Sequence, residues 1–127
     1  MAVAMAAPLL ARLDLARLQR VLEPRRVADP GADVCATAAH VVAVVDRVNA
    51  RAGRAVRPGC LVRGISRYAA LRRAGVDVAL CFGMGRPRDE LEGHCWLTLG
   101  NDVVFDHDGE RPRFTEVVRI SRAGVEH

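Results

Sequence analysis

The chain has 127 residues, half of them apolar and 27% charged, which suits one globular domain with a sizeable core and excludes a disordered or fibrous chain. Its basic side is 19 arginines and no lysine, for a net charge of +4. These arginines are scattered over every segment, and only Tyr68, Phe82, Trp96, Phe105 and Phe114 offer rings for stacking, so the composition argues against a nucleic-acid face.

The apolar opening, Met1–Leu10, lacks a basic start and is interrupted by Arg12 and Asp14, so it does not read as a signal peptide. No run of eighteen apolar residues follows, and no membrane span is expected. From Pro8 to about Leu22 leucines recur near helical spacing, which predicts a first helix ending before Pro24. The apolar residues of Met1–Leu22 form either a docking helix for a partner or an outer layer of the core, and the core is the favoured reading. Pro24–Gly31 reads as a connection. Val34, Ala38, Val41, Val42, Val45 and Val48 stripe a second helix from Asp33 to about Ala52. Arg57-Pro58-Gly59 then turns into a third helical pattern, Leu61–Ala74, closed by Gly75, so Cys60 falls at the helix start.

After Gly75 the period changes to two. Val76–Phe82 predicts a strand and Gly83–Gly93 a loop. His94–Leu99 and Val103–Asp106 predict a hairpin through Gly100-Asn101-Asp102, and Arg113–Ser121 suggests a last strand. Helices over about 8–75 followed by an antiparallel sheet over about 76–121 make a single α+β domain.

A thiolate is stabilised at a helix N-terminus, and a useful nucleophile also needs a base and a group to orient that base. Cys60, His94 and Asp106 are the candidates. A three-residue hairpin loop pairs Trp96 with Asp106 and sets the aspartate diagonally across from His94 on one face. A two-residue loop puts them on opposite faces, so a triad demands an odd-numbered loop or a bulge. Asp108 is the competitor for the orienting role. The cysteines at 35, 60, 81 and 95 match no disulfide framework, which points to free thiols and the cytoplasm. Cys35, Cys81 and Cys95 read as structural. A zinc site from Cys81, His94, Cys95 and His107 lacks any CxxC or HxxxH spacing, and neither metal nor cofactor is expected. His40, His107 and His127 read as surface or turn residues. The alternative for Cys60 is a buried structural cysteine.

Cys60–Gly75 and His94–Asp106 carry a resemblance. A Cys-Leu pair opens a helix ending in Leu-Arg-Arg-x-Gly, His-x-Trp follows on a strand, and an aspartate closes the next strand. In this the chain resembles, over roughly Val34–Val118, the transglutaminase-like peptidases that remove leader peptides in lasso-peptide biosynthesis. Two places depart from that pattern: Arg63-Gly64-Ile65-Ser66 stands where Ser-Leu-Ala is expected, and Phe105 where a polar residue is common. The resemblance implies a reduced papain-like core with Cys60, His94 and Asp106 as a Cys-His-Asp triad. It implies a precursor-peptide substrate, a separate leader-recognition protein as partner, and a lasso cyclase downstream. The second class of reading is another acyl transfer on the same core, and the third a non-catalytic peptide-binding scaffold. For the oxyanion, Gln19 is the only glutamine and lies far upstream, so the Cys60 N–H is the first donor to consider. Trp96, two residues beyond His94, either shields the His94–Asp106 pair or simply fills the core.

Overall fold

The computed structural model describes residues 14–52, 60–106 and 113–127, with the backbone alone at Ala52 and Cys60. Asp14 caps the first helix, α1 (Leu15–Leu22), by accepting from the Arg17 N–H at 3.0 Å. Asp33 does the same for α2 (Val34–Ala52) through the Ala36 N–H at 2.9 Å. Both side chains satisfy donors that a helix start leaves without intrahelical partners. The third helix, α3 (Cys60–Arg73), begins at Cys60 as expected and ends before Gly75, whose φ of 85° suits a glycine C-cap. The Pro8–Leu13 part of the expected first helix lies outside the described residues.

Five strands follow: β1 (Val78–Gly85), β2 (Glu92–Leu99), β3 (Asp102–Val104), β4 (Thr115–Ser121) and β5 (Gly124–Glu126). They form one sheet in the order β3-β2-β1-β4-β5, antiparallel throughout. The α+β arrangement expected from the sequence is therefore the observed one. The helices cover one face. Leu80, Phe82, Cys95, Leu97 and Ile120 point into that layer against Tyr68 and Leu71 of α3 and Val42 of α2. Leu15, Leu18 and Leu22 of α1 pack on the same core. Cys81, Trp96 and Phe114 form a separate buried cluster on the other face. No described helix is long and apolar enough to cross a membrane.

Three expectations are corrected. First, β1 runs through Gly83 to Gly85, where the sequence predicts a loop. A Cβ at Gly83 would come 2.6 Å from the Trp96 ring and 2.7 Å from the Thr115 carbonyl. Glycine is there because the tryptophan lies across it, and a close approach of this kind is one of the uses of glycine in a strand. Second, β5 has no counterpart among the predicted elements: a tight turn at Arg122-Ala123 returns the chain along β4. Third, the β2–β3 loop has two residues, not three. Leu99 pairs with Asp102 and Leu97 with Val104, because Gly100, with φ of 62°, supplies the positive φ that a two-residue turn needs.

Candidate active site

The two-residue loop makes the position of Asp106 a problem. Continued regularly, the observed register would set Asp106 opposite Cys95, facing the helices and away from His94. The ladder instead ends at Val104, and Phe105 adopts φ of 60°. For a bulky residue this left-handed conformation costs on the order of 1–3 kcal/mol. Val104 and Phe105 both pack on the helix-side core, so the in–out alternation breaks at Phe105 and the next residue changes face. Asp106 Oδ1 thereby comes to 3.5 Å from His94 Nε2. The β2–β3 ladder carries neither an odd-numbered loop nor a bulge; a turn at Phe105, beyond the ladder, takes their place. The pair is well shielded, with 11% of the His94 side chain and 12% of the Asp106 side chain exposed.

Aromatic rings fix the imidazole. Trp96 is stacked near it at 6.0 Å between centroids and Phe114 at 5.0 Å. Both rings run along the face where β1 carries Gly83 and Gly85. Trp96 is thus buried in the core and also lies beside the His94–Asp106 pair. Phe114 carries no local sequence signal that would single it out. It belongs to a segment distant in the chain, and only the pairing of β4 with β1 brings it to His94.

Asp106 lies on the Nε2 side of the imidazole. The opposite ring nitrogen, Nδ1, therefore faces away from the carboxylate, which is the arrangement a base needs if one nitrogen is to be oriented and the other is to act. The backbone of Cys60 opens α3, and Gly64 follows one turn later, about 6 Å along the axis. At Gly64 the helix comes close against the sheet: a Cβ would stand 2.9 Å from Cys95 Sγ and 3.0 Å from Leu80 Cδ1. The departure from the expected Ser-Leu-Ala pattern thus has a packing reason. It lets the first turns of α3 press onto β2 beside His94. A cavity of about 60 Å³ remains here, with Arg63, Gly64, Arg67, His94 and Asp106 in its lining.

Arg67, two turns after Cys60, also escapes a reading of the sequence. Only 8% of it is exposed. Its guanidinium grips Asp46 of α2 with a fork, Nε to Oδ1 at 2.9 Å and Nη2 to Oδ2 at 2.7 Å. The remaining arm, Nη1, donates to the Phe105 carbonyl at 3.2 Å. Charge-assisted, bidentate bonds of this kind are among the strongest a protein makes.

The other cysteines have different surroundings. Burial pushes the Cys81 thiol up to about 11, so it stays protonated at neutral pH. Cys81 and Cys95 lie on opposite faces of the sheet, in separate clusters, and do not converge on one ion. No cluster of potential metal ligands occurs among the described residues. Cys35 is exposed on α2. Gln19 is occupied far from His94, donating from Nε2 to the Ser121 carbonyl at 3.1 Å. His107 and Asp108 lie outside the described residues.

No curated protein and no solved structure matches the sequence. The Transglutaminase-like superfamily does, over residues 2–119, and its members typically carry cysteine peptidase or transferase chemistry on a Cys-His-Asp set. A helix opening on cysteine, an antiparallel sheet presenting histidine, and an aspartate at that histidine are the parts this chemistry requires. With the match covering nearly its whole length, the chain belongs to the Transglutaminase-like superfamily.

Proposed function

We propose that the protein is a cysteine peptidase that cuts the leader from a ribosomally made precursor during lasso-peptide maturation, with Cys60, His94 and Asp106 as its triad. The observation that carries the catalytic part is the approach of Asp106 Oδ1 to within 3.5 Å of His94 Nε2, made at the expense of a left-handed Phe105. The peptide class rests on the resemblance of Cys60–Gly75 and His94–Asp106 to the lasso leader peptidases.

In this reading His94 takes the Cys60 thiol proton, and the thiolate adds to the scissile carbonyl. The Cys60 N–H, at the positive end of α3, is the first donor to the resulting oxyanion. The tetrahedral intermediate collapses as His94 returns the proton to the leaving amine, which departs as the new N-terminus of the core peptide. The leader remains as a thioester on Cys60. Water, deprotonated by His94, then attacks that thioester, and Cys60 leaves as the thiol. Throughout, Asp106 holds the histidine tautomer and balances the imidazolium charge. A separate recognition protein presents the leader, and a cyclase receives the freed amine.

The test is mass spectrometry of a leader-bearing precursor incubated with this protein and its recognition partner. A single Cys60-dependent cut is expected, with none from Cys60→Ala. Transfer of the leader acyl group to an added amine, rather than to water, would make the enzyme an acyl transferase. A precursor bound but left intact by both proteins would make it a scaffold.

A further inference from the structure

We infer that Arg67, clamped by Asp46, is a positioning residue that sets the Asp106 carboxylate against His94. This rests on the triad reading above and adds two residues from the helices to it. The regular continuation of β3 would carry Asp106 to the wrong face of the sheet, and the left-handed Phe105 prevents this. A disfavoured backbone conformation persists only where its surroundings over-determine it. The Phe105 ring is held by the helix-side core, and the Phe105 carbonyl accepts from Arg67 Nη1. The carbonyl belongs to the peptide unit that leads into Asp106, so its orientation is coupled directly to the direction in which Asp106 leaves the strand. Arg67 in turn is immobilised by two bonds to Asp46, so the guanidinium has one arm left and one direction for it. Asp46 on α2, Arg67 on α3 and Phe105 beyond β3 form a chain of contacts ending one residue short of the site. Neither Arg67 nor Asp46 needs to touch substrate for this.

The experiment follows alkylation of Cys60 by iodoacetamide near neutral pH, in a Cys35→Ser background that removes the exposed thiol of α2. The rate reports the thiolate that a charged His94 stabilises, and hence the help Asp106 gives to that charge. Arg67→Met is expected to slow alkylation about tenfold, the effect of roughly one unit in the governing pKa. In an Asp106→Asn background the same change is expected to slow it less than about twofold, because residues acting through one another are not additive. Equal slowing in both backgrounds, or none in the first, overturns the positioning role and leaves the triad reading standing. If His94→Ala alkylates as fast as wild type, the triad reading itself falls and this inference with it. Near-UV circular dichroism of Trp96 checks folding. Should Arg67→Met fail that check, Asp46→Asn takes its place in the same cycle, with about threefold slowing expected because the carboxamide keeps one of the two acceptors and none of the charge, which loosens the guanidinium without releasing it. An unchanged rate in that variant also overturns the proposal.

Discussion

Arg67 and Arg72 are five residues apart on α3 and are built alike. Each is buried, with 8% and 5% exposed. Each forks a carboxylate from an earlier helical segment: Arg67 takes Asp46, and Arg72 takes Glu23 at 3.0 and 3.3 Å. Each uses its third arm on a main-chain carbonyl, Phe105 for Arg67 and Val76 for Arg72. They differ in what that carbonyl does. Val76 lies in the short link from α3 to β1, and the Arg72 cluster, completed by Tyr68 donating to Glu23 at 2.9 Å, ties α1 to the end of α3. Phe105 precedes Asp106 and is held left-handed. The same device therefore fastens the fold at one end of the helix and aims a side chain at the other.

The Arg72 end gives the largest expected effect on stability. Glu23→Ala removes one partner from a mostly buried pair, takes both fork bonds from Arg72 and leaves it the Val76 carbonyl and the exposed Asp77 carboxylate at 3.6 Å, and deprives the Tyr68 hydroxyl of its acceptor. This is expected to lower stability by about 3 kcal/mol, a large part of the roughly 5–15 kcal/mol of a typical domain. Urea unfolding measures it. The Cys60 alkylation rate per folded molecule is expected to stay within about twofold of wild type, as for independent sites, and a larger fall would break the division between the two arginines. The same variant also reports pH. Burial alone would push the Glu23 carboxyl up, but the hydrogen bonds from Arg72 and Tyr68, together with the Arg72 charge, outweigh it and hold the carboxyl below its ordinary 4.5. A depressed carboxyl contributes stability that is complete above the unfolded value and is lost as pH falls through the folded one. The gap between wild type and variant should therefore be constant above about pH 5 and narrow below 4.5.

Gly64 sharpens the comparison from the Arg67 side, since it sets how closely that half of α3 meets β2. Alanine gains about 1 kcal/mol of helix propensity. It must also place a methyl group against Cys95 Sγ and Leu80 Cδ1, and such overpacking costs about 1–3 kcal/mol. A net loss of about 1 kcal/mol is expected, read by urea unfolding, together with slower Cys60 alkylation as the site end of the helix lifts from the sheet. Unchanged reactivity would mean that the close approach serves packing alone.

The elements that rest on local periodicity were legible in the sequence. The α2 helix with its buried Ala38 and Val42, the Leu61–Ala74 pattern with its Gly75 cap, and a strand through Val78, Leu80 and Phe82 appear where that periodicity puts them, although Val48 of the stripe is exposed and Val76 precedes the strand. Cys60 at a helix start was legible for the same reason. What escaped depends on contacts between distant segments. Gly83 and Gly85 look like loop residues until the Trp96 ring and the Arg113 carbonyl come to occupy the space beside them. Nothing near Arg67 in the chain announces Asp46, and nothing near Phe114 announces His94. The hairpin shows the limit most clearly. Local statistics permit two or three loop residues, and the choice of two would have argued against the triad without the turn at Phe105, a residue whose type gives no hint of positive φ.

That turn can be tested apart from the packing of the phenyl ring. Phe105→Asn and Phe105→Val both delete the ring, but asparagine tolerates the left-handed region and a β-branched residue does not. For packing against the helix-side core, valine is the better replacement. For the backbone it is the worse one. Both variants are expected to lose about 1–3 kcal/mol of stability, the value of a partly buried aromatic, with little between them as the two preferences offset. Their reactivities should separate. Phe105→Asn keeps the left-handed turn and is expected to alkylate at Cys60 close to the wild-type rate. Phe105→Val relaxes toward an extended strand, turns Asp106 to the helix side, and is expected to fall about tenfold, like Asp106→Asn. The reverse order would place the control of Asp106 in the ring rather than in the backbone. Arg67 would then be gripping a carbonyl that aims nothing, and the two arginines of α3 would be fasteners of one kind.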